Sequence, residues 1–172
     1  MTDYRYRLWR TVNPYRTAKT LLFVMLNPSV ADQFHDDPTI RRCTGFARSW
    51  GFDHFYVGNL FAMRATDPKV LRKTGDPVGE LNDNSLLAMA AMAQQIVCAW
   101  GDKGWFQGRD EKVKHLLRDY DLFQIGPTRT KVGDRPRHPL YLSKALKPVL
   151  WRPKFVSRLD EYAEYLTLHG GP

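Results

Sequence analysis

At 172 residues and 43% hydrophobic composition, the chain can fill one well-packed domain and is too short for two of ordinary size. Lys and Arg total 26 against 18 Asp and Glu, and the net charge of +8 favours polyanionic partners, nucleic acid foremost. Two cysteines exclude a four-cysteine zinc or iron–sulfur site and a disulfide scaffold. No apolar run reaches membrane length and the start lacks a signal-peptide core, so a reduced, soluble, cytoplasmic protein is expected, one domain over residues 1–172.

The first segment, Tyr4-Arg5-Tyr6-Arg7-Leu8-Trp9-Arg10, alternates apolar side chains with arginine. That is the period of a half-exposed edge strand, whose charges deter pairing between sheets. Residues 21–26 then form an unbroken aliphatic run, as in a strand covered on both faces. It stops at Asn27-Pro28, because proline has no N–H to donate to a central ladder. Asp37-Pro38 supplies an N-cap and a first helical residue, and Ile40, Cys43, Phe46, Ala47 and Trp50 make one apolar stripe that Gly51 ends. His35, Asp36 and Asp37 together invite a metal reading, but capping accounts for the aspartates without one.

Residues 55–61 read as a second strand with Asn59 near its end. A short helical turn is expected at Asp67-Pro68. Asn82 or Asp83 caps a helix running through Met92, and residues 95–100 form a third strand. Gly101-Asp102-Lys103-Gly104 reads as a turn, with phosphate binding on its N–H groups the alternative. A helix over 109–119 and a fourth strand over 121–126 follow. Residues 127–139 make a basic loop, and Leu159, Tyr162, Ala163 and Leu166 suggest a C-terminal helix. The alternation predicts a three-layer α/β/α sandwich on a four-stranded, mainly parallel sheet, with an N-terminal edge strand or hairpin added.

In open α/β sheets, ligands bind beyond the carboxyl ends of the strands. Asn27, Asn59 and His138 fall there. Their order resembles the uracil-DNA glycosylase superfamily: Met25-Leu26-Asn27-Pro28-Ser29 matches its strand-one motif, Tyr56-Val57-Gly58-Asn59-Leu60-Phe61 its base-reading strand, and His138-Pro139-Leu140-Tyr141-Leu142 its late His-Pro motif. Met25 and Ser29 stand where the mismatch-specific branch has glycines, and the family's His-Pro-Ser-Pro is only His-Pro here. Longer phrases, Asp36-Asp37-Pro38-Thr39-Ile40-Arg41-Arg42-Cys43 and Pro136-Arg137-His138-Pro139-Leu140-Tyr141-Leu142, resemble the uncharacterised domain-of-unknown-function family 1643 over nearly the whole chain.

The glycosylase resemblance implies removal of a base from DNA by hydrolysis, with no metal or other cofactor. Asn27 would hold water and His138 would donate to the departing base, both as catalytic residues. Asn59 would read the base edge and Phe34 would stack on it. Arg129, Lys131, Arg135 and Arg137 would track phosphates, and Leu140 or Tyr141 would fill the gap left by a flipped base. The expected partner is duplex or single-stranded DNA, bound by a monomer away from membranes. Two rivals remain open at this point: an enzyme on small nucleosides or nucleotides, and a non-catalytic module that binds a modified base or a single strand.

Overall fold

Alternate residues of the buried strands feed two different cores, and this sets the layering. In the computed structural model, which describes residues 3–15, 19–29, 35–127 and 134–157, strand β1 spans Leu8–Thr11 and β2 spans Thr20–Met25. Helix α1 (Pro38–Ser49), β3 (His54–Asn59), α2 (Asn82–Met92), β4 (Gln95–Cys98), α3 (Arg109–Leu116), β5 (Leu122–Ile125) and β6 (Pro148–Arg152) follow. Leu21, Phe23 and Met25 of β2 point to one side, where Ile40, Cys43 and Phe46 of α1 cover them. Leu22 and Val24 point to the other, against Leu86 and Met89 of α2 and Val113 of α3. Strand period two thus meets helices on both faces. Cys43 and Cys98 are buried and free, and burial pushes both thiols far above the ordinary value.

The sheet has six strands in the order β1-β3-β2-β4-β5-β6. The four central strands are parallel neighbours, while β1 and β6 close the two edges antiparallel. The expectation of four strands plus an N-terminal edge is therefore corrected to a six-stranded mixed sheet. Strand β6 gives little signal in the sequence because it begins at a proline and only Trp151 is buried, with Val149 and Leu150 exposed. An edge strand pairs on one side only, which is where proline is tolerated. Asn82 is also not the cap of α2: that position is Leu81, with no side-chain hydrogen bond, and Asn82 turns inward. The expected C-terminal helix lies outside the described residues.

From β2 the chain crosses to β3 through α1 on one face, and from β3 back past β2 to β4 through α2 on the other. The direction of winding therefore reverses between β2 and β4. At such a switch point the loops above neighbouring strands diverge and leave a crevice beyond their carboxyl ends. Among the described residues no helix is long and apolar enough to cross a membrane.

Candidate active site

The crevice is present as a cavity of about 380 Å³. Asn27 enters it from the end of β2, Asp37 from the start of α1, Asn59 from the end of β3, Trp100 and Asp102 from beyond β4, and His138 from the loop before β6. Arg5 and Lys103 add positive charge to its lining. Three polar residues singled out in the sequence thus share one cavity, although 111 positions separate Asn27 from His138.

Backbone pairing sets Asn27 in place. Beyond β3, Leu60 and Phe61 donate to the carbonyls of Met25 and Leu26 at 2.8 and 3.0 Å, holding the two strand ends in register. Asn27 Nδ2 donates to the carbonyls of Pro28 (3.0 Å) and Ala65 (2.7 Å). Two carbonyl partners fix which end of the amide is nitrogen. The Oδ1 atom is then the acceptor end, and it makes no hydrogen bond among the described residues.

Asn59 is buried, and its side-chain amide has no hydrogen bond to the described residues. Its backbone is firmly braced: Asn82 Nδ2 donates to the carbonyls of Asn59 (3.0 Å) and Leu60 (3.1 Å), and Arg109 Nε donates to Leu60 O at 2.7 Å. Arg109 is itself buried and paired with Asp83. Satisfied carbonyls at a strand end leave the amide of Asn59 as the polar group that the cavity can use. The helix start that resembles a cap is thus a support for the site.

His138 is held from three directions. Gly101, at φ +72°, approaches so closely that a Cβ there would lie 3.3 Å from the Cβ of His138, and Gly101 N–H donates to Pro136 O at 3.0 Å. Arg42 of α1 donates to Leu142 O, and Trp50 Nε1 donates to Leu146 O at 2.9 Å, tying the loop to the helix. Nδ1 of His138 accepts from Leu140 N–H at 3.3 Å. A backbone amide always carries its proton, so the neutral ring holds its own on Nε2. Burial pulls the imidazole below its ordinary value of 6.5, with Asp37 opposing the shift, so the ring is neutral at pH 7.

Asp37, which the sequence assigns to helix capping, also lines the cavity. Its Oδ1 accepts from Ile40 N–H at 2.8 Å, the cap expected of it. The second oxygen makes no hydrogen bond or ion pair among the described residues, and the carboxylate lines the cavity. Cap and cavity wall are the same residue because α1 begins at the mouth of the crevice. Asp36, by contrast, pairs with Arg10 at 2.7 Å. Among the described residues no group of three or more His, Cys, Asp or Glu is placed to hold a metal ion.

The other residues expected at the site divide. Phe34, Arg129 and Lys131 lie outside the described residues. Arg135 is exposed, with Nη1 donating to Asp102 O at 3.1 Å, while Arg137 is half-buried beside the Gly126 turn. Leu140 is half-buried, whereas Tyr141 is 94% exposed and held at φ +66°, a conformation disfavoured for a bulky residue. The turn after β4 uses both its glycines structurally: Gly101 for its positive φ, and Gly104 because a Cβ there would lie 2.4 Å from Trp100 Cδ1. Trp100 is buried edge-on to Trp151, so its ring has little room to move. Gly104→Ala should therefore lower unfolding free energy by about 1–3 kcal/mol. An unchanged denaturant midpoint would show that the indole yields freely.

No curated protein and no solved structure gives a significant match to the chain. A family model described as a protein of unknown function (DUF1643) matches residues 5–140. The matched span holds Asn27, Asp37, Asn59 and His138, and on it the chain belongs to the DUF1643 family.

Proposed function

We propose that this protein is a hydrolytic N-glycosidase that removes a damaged, mismatched or modified base from DNA, on a fold of the uracil-DNA glycosylase type. One observation carries the reading: Asn27, Asn59 and His138, from three separate segments, line a single cavity at the switch point of the sheet. They also follow one another along the chain as the resemblance implies.

In this reading the base lies with its edge on Asn59, whose amide offers both a donor and an acceptor. Asn27 Oδ1 accepts a hydrogen bond from the attacking water, and Asp37 takes that water's proton as its oxygen bonds to the anomeric carbon. The bond from that carbon to the base nitrogen breaks, and its electron pair leaves with the base. His138 donates from Nε2 to the carbonyl oxygen where the charge gathers. Trp100 gives the base an aromatic wall. In a duplex, Tyr141 is the exposed side chain suited to fill the vacated stack.

The deciding experiment is a panel of single-stranded and duplex oligonucleotides bearing uracil, hypoxanthine, mismatched thymine or modified pyrimidines, followed by alkaline scission at abasic sites. Cleavage of at least one is expected. Folded protein that cleaves none rejects the reading, and release of base from free nucleosides alone transfers it to a small-molecule enzyme. A charge test accompanies it. Arg135→Ala should reduce the slope of log affinity against log salt by about 0.7–0.9, the value for one lost phosphate contact. An unchanged slope would remove Arg135 from the interface.

A further inference from the structure

A second, smaller opening adjoins the cavity. It holds about 130 Å³, shares Leu26 and Lys103 with the cavity, and has Phe61, Leu71 and Phe106 as its apolar lining. Lys69 and Arg72 complete its wall, and among the described residues no carboxylate lines it. Among the described residues none of Lys69, Arg72 and Lys103 forms an ion pair. The Arg72 guanidinium lies 5.2 Å from the ring centre of Trp105 and 5.9 Å from that of Phe106. Trp105, beside the slot, is 49% exposed, and Phe106 in its wall is half-buried.

We infer that this slot binds the nucleotide next to the one in the cavity, so that the ligand is a single-stranded segment of at least two nucleotides. The inference rests on the proposed base-binding role of the cavity. Flat aromatic and apolar walls accept the face of any base, while unpaired cations beside them accept phosphates. Lys103 borders both openings, where the phosphate joining two nucleosides belongs. A peptide with an acidic and an aromatic side chain offers similar chemistry but no reason for two apolar-walled openings to share one cation. A neighbouring base can enter the slot only when unstacked, which a continuous duplex resists. Single strands, or duplex locally opened at the site, are thus the substrate class.

The test is fluorescence anisotropy with a labelled oligothymidylate of about 12 nucleotides, inside the usual span of single-strand sites. It is run against the same sequence as duplex, across salt concentrations. The single strand should bind more tightly than the duplex. Phe106→Ala, which removes the slot's partly accessible aromatic wall, should weaken binding about 5- to 150-fold, the range for one lost base stack. Lys69→Ala and Arg72→Ala should each flatten the salt slope by about 0.7. Equal affinity for duplex and single strand, or variants that bind like the wild type, overturns the slot. So does a glutamate-rich aromatic peptide that binds with the same variant sensitivity when the oligonucleotide does not. Phe106 is half-buried, and melting temperatures of each variant separate unfolding from lost contact. Slot-dependent binding without base release would sustain this inference and reject the glycosidase. Base release unaffected by the slot variants would do the reverse.

Discussion

Asp37→Asn should slow base release by about 10²- to 10⁴-fold, the contribution of a positioned proton acceptor, and leave the fold intact. The substitution suits the position because asparagine caps a helix about as well as aspartate. An amide oxygen in place of Oδ1 still accepts from Ile40 N–H, so α1 begins at the same residue. What disappears is an oxygen able to take a proton from water beside Asn27. Asp37→Ala removes the cap as well and should cost about 0.5–2 kcal/mol of stability in addition. Single-turnover rates with a cleavable oligonucleotide, paired with denaturant unfolding, separate the two effects. If Asp37→Asn retains the wild-type rate, Asp37 is a cap only, and the water must lose its proton to solvent.

The double role of Asp37 also explains how far the sequence could be read. Strands β2 to β5 announce themselves because each carries a short apolar stretch, aliphatic or aromatic, and α1 because its stripe is bounded by Asp37-Pro38 and Gly51. These are local signals. That Asn27, Asn59 and His138 would meet at one end of the sheet was legible because Asn27 and Asn59 close buried runs and His138 follows the last parallel strand. Asp37 was hidden by its obvious local use: a cap satisfies the sequence pattern and leaves no remainder to explain. Asn82 and Arg109 were hidden for the opposite reason. Their partners, the carbonyls of Asn59 and Leu60, lie more than 20 residues away and leave no pattern in the neighbouring sequence. Strand β6 escaped because one buried residue, Trp151, gives no period. The slot beside the cavity draws on the segments just beyond β2 and β3, a 3₁₀ turn over Pro68–Lys73 and the turns after β4, so only the folded chain brings its cations together.

His138→Ala should reduce base release by about 10²- to 10³-fold, the cost of losing one donor aimed at developing charge. The size of the effect follows from preorganisation. Gly101, Arg42 and the Leu140 amide hold the ring before any substrate arrives, so little of the donor's value is spent on ordering it. The same geometry dictates the pH response. Protonation would put a second N–H on Nδ1, facing the amide of Leu140, and donor would meet donor. Burial already holds the imidazole below its ordinary value of 6.5. The unfolded chain therefore binds more protons than the folded one in the window just below that value, and stability must fall as pH drops through it. Above 6.5 this contribution is complete and flat. Base release should follow the same course, level at neutral pH and declining on the acid side only below the ordinary imidazole value. Rate profiles and unfolding curves of wild type and His138→Ala over this range are the measurement. The variant should lose the acid-side fall in stability attributable to this ring. A rate that rises on acidification would assign His138 the cationic form, whose Nδ1–H is incompatible with the Leu140 contact.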